Sequence, residues 1–267
     1  MVVKINTIKS YLTLHLTYFK IALKTAMEYK ANFIIQVISM FLNDVVWIFF
    51  WGIFLTKFNN INGWALSDMV LLYSMITVGF GVAGLFFGGH KRISRLIVEG
   101  QLDYFLTLPK NSLFHTIISK GSWFDLGDIL FGVVLAICFV PLIKLPLLLV
   151  LIIPAIIILI SFGIIVESLS FYIGNSQSLS STLYEAIVTF GAYPLSIHHG
   201  ITKFIVMFII PAGMMVGVPV ILINQYFNWL WFILIYIFAI GILLIAIYVF
   251  YKGLKRYESG NLIGVRL

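Results

Sequence analysis

Apolar residues run along this chain in continuous blocks, not in alternation. A helix needs roughly 20 apolar residues to cross about 30 Å of hydrocarbon. Five blocks meet that length: Asn32 to Thr56, Ser67 to Phe87, Leu147 to Ile173, Ile201 to Ile223 and Trp229 to Tyr251. A sixth, Gly121 to Ile143, is apolar from Ile129 onward but carries Asp125 and Asp128 in its first half. Unbroken runs are unlike the alternating strands of a membrane β-barrel. In lipid the backbone must satisfy its own hydrogen bonds, so the runs are expected to be helices. The pattern predicts an all-α integral membrane protein with six transmembrane helices in a single domain over residues 1–267.

The interruptions carry as much information as the runs. In residues 1–30, Leu12, Leu16, Phe19, Leu23 and Met27 share one helical face, and Thr13, Thr17, Lys20, Lys24 and Glu28 share another. That spacing predicts an amphipathic helix lying in the membrane interface before the first span. Lysines interrupt this stretch too often for a cleaved signal peptide. A second irregular stretch, residues 175–200, holds the polar run Ser176 to Ser181, then Glu185, Pro194, His198 and His199. Its apolar part, Leu183 to Ile197, is too short and broken to span. It reads as an interfacial or re-entrant segment on the inner side. Pro211 and Pro219 fall inside the fifth run, where proline removes a donor and kinks a helix, so that span is expected to line an interface or pathway.

Composition narrows the class further. The chain is 61% hydrophobic and 10% charged, with a mean hydropathy of +1.08. Soluble domains carry about 25% charged residues, so a soluble enzyme, a disordered chain and a secreted disulfide scaffold are excluded. Cys138, the single cysteine, stands in an apolar run and has no partner within the chain. The net charge is +7, but its cations flank apolar runs and form no face for phosphates, so no nucleic-acid partner is expected. With six spans, the outer loops hold only Lys57 and Lys144 of the 17 lysines and arginines. The rest, including Lys91, Arg92, Arg95, Lys110, Lys252, Lys255, Arg256 and Arg266, fall on the inner side. By the positive-inside rule both termini are cytoplasmic, in a multi-pass protein of the plasma membrane.

Little in the chain suggests catalysis. There is no phosphate loop of the GxxxxGK[ST] form and no metal-ligand spacing, so no catalytic residue, metal or cofactor of its own is expected. Adjacent His198 and His199 point different ways on a helix and suit a metal poorly. Asp125 and Asp128, three apart, share a helix face. Pairing with Lys120 or a neighbouring helix at the inner interface is the plain reading of them, and a proton relay the sharper one. Asp44 and Glu167 lie deeper, where charge is costly and often functional. These four carboxylates, with Pro211 and Pro219, are the candidates for a pathway or a subunit seam. Gly81, Gly84 and Gly88 space small residues for close helix packing, within the chain or across a dimer.

The loop after the second span, residues 88–112, is the most informative. His90 to Glu99 predicts a short amphipathic helix with Ile93, Leu96 and Ile97 on one face; Gly100 is placed to end it. Asp103 is placed to cap a second short turn, and Pro109 and Asn111-Ser112 restart the chain. Glu99-Gly100-Gln101-Leu102-Asp103-Tyr104-Phe105-Leu106, ending in Pro109, resembles the cytoplasmic coupling segment of ABC transporter permeases of the type-2 export class. Tyr193-Pro194-Leu195-Ser196-Ile197 with Pro211 and Pro219, and the tail Arg256-Tyr257-Glu258-Ser259-Gly260-Asn261, match the same class. The resemblance implies a permease subunit that forms an export path with a second permease, alike or different, in membrane lipid. Separate ATPase subunits, holding ATP and Mg, would dock on Arg92, Arg95, Glu99, Gly100, Leu102, Asp103 and Pro109. Such permeases often carry a helical hairpin dipping in from outside before the last span, and here it would have to come from the proline-broken fifth run. Two other readings stay open: a stand-alone proton-coupled transporter using the buried carboxylates, and a membrane enzyme acting on lipid.

Overall fold

The structure, a computed structural model, describes residues 2–258, and side chains from residue 8 onward. Lys4, Arg266 and the Ser259-Gly260-Asn261 part of the tail motif therefore lie outside the described side chains. The described residues form helices and no strand; one isolated bridge joins Ile61 to Trp64. The helices are α1 Val2–Glu28, α2 Lys30–Phe58, α3 Leu66–Phe87, α4 Ile93–Val98, α5 Leu102–Leu106, α6 Ser112–Ile118 and α7 Leu126–Phe139. They continue as α8 Leu145–Glu167, α9 Ser170–Ile173, α10 Gln177–Gly191, α11 Gly200–Phe204, α12 Val218–Asn224 and α13 Trp229–Leu254. Four are long and apolar enough to cross a membrane: α2, α3, α8 and α13, with the turns that continue them. Two further pairs pass the same test only as bent units. Ser112–Ile118 meets Trp123–Phe139 at 65°, and Gly200–Ile209 meets Gly213–Asn224 at 80°.

α3 is the central element. Fifteen of its 22 residues are buried, against three of 29 in α2. It packs on α7, α8 and α2. Glycines set how closely α3 and α7 approach. A side chain at Gly81 would place its Cβ 2.6 Å from Ile129 Cγ1, and one at Gly84 would collide with the Asp125 carboxyl. On the facing helix a side chain at Gly132 would collide with Thr77, and the Gly132 carbonyl accepts from Ser74 Oγ at 3.0 Å. A Cβ at Gly88 would come within 2.7 Å of the Lys120 carbonyl. The small-residue pattern thus joins helices of this one chain.

The ends of α3 mark two opposite ends of the bundle, about 33 Å apart at 1.5 Å per residue. At its start the turn Asn59–Trp64 reverses the chain. Asn59, Asn62 and Gly63 take positive φ there, which asparagine and glycine tolerate. At its finish lies the 88–122 loop. Both ends of the described chain lie at that second end: Tyr11 and Ser10 meet Asn111 and Lys110, and Tyr257 lies beside Asp103.

Two segments depart from the hydropathy pattern. Residues 175–200 do not stay at the 88–122 end. α10 begins there, with Ser180 Oγ donating to the Val166 carbonyl. The chain then runs on to Ser196, whose Oγ donates to the Ile61 carbonyl while its own carbonyl accepts from Asn62. So this segment crosses from one end of the bundle to the other. The window of roughly 20 apolar residues missed it, because α10 is only 15 residues long with polar serines at its start.

The expected fifth run, Ile201 to Ile223, is not one kinked span. It folds back on itself at Ile210-Pro211, where π-helical Ile205–Ile209 ends. It starts near the Ile61–Asn62 turn and returns to the same end. There Asn224 Nδ2 donates to Asp68 Oδ1 at 2.9 Å and Asn224 Oδ1 accepts from Lys144 at 2.7 Å. Only Pro211 sits at the bend. Pro219 lies in the first turn of α12, where the π-helical turn Gly213–Gly217 passes into it. Lys203 therefore moves to the Ile61 end.

The seam makes a test. Gly84→Ala forces the Asp125 carboxyl aside and should lower the stability of the detergent-purified chain by about 1–3 kcal/mol. Gly79→Ala, whose Cβ meets nothing within 4 Å, should leave the thermal midpoint unchanged or raise it. Equal losses at the two positions would refute the seam.

Candidate functional site

The 88–122 loop is built as a bracket. A 3-10 turn, Gly88–Lys91, precedes α4. Ile93, Leu96 and Ile97 are buried as the spacing predicts. They join Leu102, Phe105 and Leu113 in a small core against Ile164, Phe171, Ala246 and Phe250, from the loop-side parts of α8, α9 and α13. Gly100 ends α4 with φ +69. Asp103 does not cap α5: the N-cap is Gln101, without a side-chain bond. Asp103 lies beside Tyr257 instead, where burial, and then the Asp103 carboxyl, push the Tyr257 hydroxyl up to about 12. Asn111 does cap α6, its Oδ1 accepting from the Phe114 amide at 3.0 Å.

The predicted docking residues divide into two kinds. Leu102 is fully buried and Arg92 and Asp103 are half-buried, so these hold the loop together. Arg95 and Glu99 are exposed and pair at 3.5 Å across one helical turn. Pro109 is exposed. Tyr104 and Leu106 are 61% and 40% exposed on the same stretch. The sequence pattern missed those two, since an apolar residue in a short helix is ordinarily core.

Glu167 ties this loop to the bundle. Its Oε2 accepts from the Ser94 backbone N–H at 2.8 Å, one of the free amides at the start of α4. Ser94 Oγ meets Ser170 Oγ, which meets Ser176 Oγ at 2.7 Å, and Ser180 reaches the Val166 carbonyl. His90 forms a second tie. The Phe87 carbonyl only accepts, so in the neutral ring Nδ1 donates to it and Nε2 accepts from the Tyr184 hydroxyl at 2.8 Å. Gly163 on α8 leaves room for that ring. The loop is thereby fastened to α8 and α10.

Asp125 does not share a regular helix with Asp128: it closes a 3-10 turn, Trp123–Asp125, just ahead of α7. Both are buried, as is Asp44 on α2. The carboxyls of Asp44 and Asp128 face each other. Their nearby cation is Lys91 and not Lys120, which is exposed. The Lys91 Nζ sits 3.8 Å from the Phe80 ring centre. Pro211 and Pro219 are buried in the α11–α12 hairpin, away from these carboxyls. Among the described residues no cluster of His, Cys, Asp or Glu is arranged to hold a metal ion.

On α1, Tyr11, His15, Tyr18 and Phe19 turn toward the bundle. His15 Nε2 bonds the Phe86 carbonyl at 2.9 Å, and Phe19 stacks on Phe86. Leu12, Leu16 and Met27 stay exposed. The face that touches protein is therefore rotated from the apolar face read in the sequence.

The described residues thus form a multi-helix bundle with a folded loop latched to one of its ends. A family model described as ABC-2 family transporter protein matches residues 41–261. The chain belongs to that family, and so is a multi-pass membrane protein of the ABC permease type. Searches of curated proteins and of solved structures give no match.

The latch makes the next test. Glu167→Ala leaves the Ser94 amide buried without an acceptor, at a cost of about 1–3 kcal/mol. Hydrogen exchange at residues 93–98 should accelerate, while Glu167→Gln, which keeps an acceptor oxygen, should preserve protection. Identical protection in the alanine variant would show that the bond does not hold α4.

Proposed function

We propose that this chain is the membrane subunit of an ATP-driven exporter and forms the translocation path with a second permease. Separate ATPase subunits, carrying ATP and Mg, drive it. The supporting observation is the latched loop. Its outward side offers Tyr104 and Leu106 among Arg95, Glu99 and Pro109, and its inward side is fastened to α8 and α10. A partner that pushes on this loop moves those helices. The family match supports the same assignment. ATP closing the ATPase pair is then the stroke, and the permease itself carries no catalytic group. Under this reading Arg95, Glu99 and Pro109 touch the ATPase, while Arg92, Gly100, Leu102 and Asp103 shape the loop.

The proposed topology has six spans, with α10 as the fifth and the α11–α12 pair as a re-entrant hairpin from outside. Of the 17 lysines and arginines, only Lys57, Lys144 and Lys203 then stand at the outer end, which keeps both termini cytoplasmic. α1 lies along the inner leaflet with Leu12 and Leu16 toward lipid. The open face of α2, with Ile35, Ile38, Leu42, Val46 and Phe49 exposed, is offered to lipid and to the second permease.

Two experiments test this. Purification of the tagged full chain from its native membrane in mild detergent should bring down a soluble subunit with a phosphate loop, identified by mass spectrometry. Tyr104→Ala with Leu106→Ala should reduce its recovery at least tenfold at unchanged permease yield. A chain that purifies alone under every detergent and salt condition sinks the exporter reading. For topology, Ile197→Cys in a Cys138→Ala background should react with an impermeant maleimide added outside intact cells. Protection until the membrane is opened would return residues 175–200 to the inner side.

A further inference from the structure

A cavity of about 240 Å³ opens between α2 and α10, with α3 at its back. Its walls are aromatic: Trp47 from α2, Tyr73 and Phe80 from α3, and Tyr193 just beyond α10. Asp44 and Asp128 also line it. Asp44 is 7% exposed and Asp128 2%. The two carboxyls hydrogen-bond each other, which takes one shared proton, and Asp44 Oδ2 and Asp128 Oδ1 are left without a donor. Neither carboxyl has an ion pair, since Arg95–Glu99 is the only one among the described residues. Lys91 is the one ammonium near, and it stands between Phe80 and the neighbouring Asp125 as well.

Three buried carboxyls and one ammonium leave this region short of positive charge. Buried carboxylates are stable only when paired and hydrogen-bonded. Beyond the proton that Asp44 and Asp128 share, the pair keeps one negative charge, and the opening beside it is walled by rings. Aromatic faces attract a cation and repel an anion. An apolar body fits the rest of the wall. From this geometry we infer that the cleft binds an amphipathic organic cation, its charge at Asp44 and Asp128 and its apolar part against Trp47 and Tyr193. Anionic lipids and anionic peptides are excluded by the same carboxylates. The inference rests on the exporter reading, for which it names the substrate class.

The probe is tetraphenylphosphonium, a permanent cation that cannot shed its charge. Binding is measured by equilibrium dialysis against the full chain in lipid nanodiscs, with empty nanodiscs as the blank. Saturable binding is expected, and the isosteric anion tetraphenylborate should show none above the blank. Asp44→Asn with Asp128→Asn should weaken the cation at least tenfold. Because that pair sits at a helix contact, a second variant keeps the test independent of folding. Val188→Lys, from a position lining the same cavity, tethers an ammonium where the ligand's would lie. It should abolish tetraphenylphosphonium binding and leave the thermal midpoint equal or higher. A lowered midpoint, as for an unpaired buried charge, would overturn the inference. So would equal binding of the cation and the anion, absence of saturable cation binding, or cation binding unchanged by the Asn pair. Copurified ATPase, scored on the same preparations, separates the two readings. Cation binding without an ATPase overturns only the exporter reading, and an ATPase without cation binding overturns only this inference.

Discussion

The glycine contact between α3 and α7 is the constraint on which the remaining structure rests. In lipid the hydrophobic effect does not press helices together, because the tails outside are as apolar as the side chains. Association has to come from close packing and from polar bonds. Gly81 and Gly84 on α3 and Gly132 on α7 let the two backbones approach until Ser74 reaches the Gly132 carbonyl. Gly127 does the same toward α2, where a Cβ would come within 2.5 Å of the Val37 carbonyl. With α2 and α3 both drawn onto α7, Asp128 is carried to Asp44 and Asp125 is laid over Gly84. The carboxylates hold their places because the glycines do.

Polar clasps then close the two ends. At one end, Lys144, Asn224, Asp68 and the Ala65 amide form a chain of bonds that joins α8, α12 and α3. At the other, Glu167 and the serines of α4, α9 and α10 hold the 88–122 loop. Between them the bundle is apolar apart from the Asp44, Asp125 and Asp128 carboxyls and a few hydroxyls. The bonds Lys144–Asn224, Asn224–Asp68, Glu167–Ser94 and Ser94–Ser170 join segments far apart in sequence, so each clasp makes its end move as a unit.

The sequence carried the long helices plainly, because length and hydropathy are properties of a single segment. It carried the turn at Gly100 and the buried face Ile93-Leu96-Ile97 for the same reason. Where partners decide, it carried less. Residues 200–224 have the length of a span, but the bend at Pro211 and the bond from Asn224 to Asp68 return them to their starting end. α10 has too few apolar residues to be read as crossing, yet α3 and α8 bury enough of it to take it to Ile61. Asp125 and Asp128 stood out as buried charge, but the sequence left Lys120 and a neighbouring helix open as partners, and only the tertiary fold brings in Lys91 and Asp44. Tyr104 and Leu106 left no signal, since exposure is decided by what the opposite face packs on.

α10 links the loop to the cleft. Near its start Ser180 bonds the end of α8, and Tyr184 bonds His90 within the loop. Near its finish Val188, Thr189 and Ala192 line the cavity opposite Asp44. Its last residue, Gly191, packs against Ile76 and Met215, so the hairpin sits against the same helix. A short helix with a polar bond at one end and a glycine contact at the other shifts more easily as a rigid piece than by bending. On the proposed reading, a push on α4 passes through His90 and Ser94 to α10 and changes the width of the cleft beside Trp47 and Tyr193. Substrate release then needs no movement of α3 and α7, whose glycine seam stays closed while the wall opposite it opens.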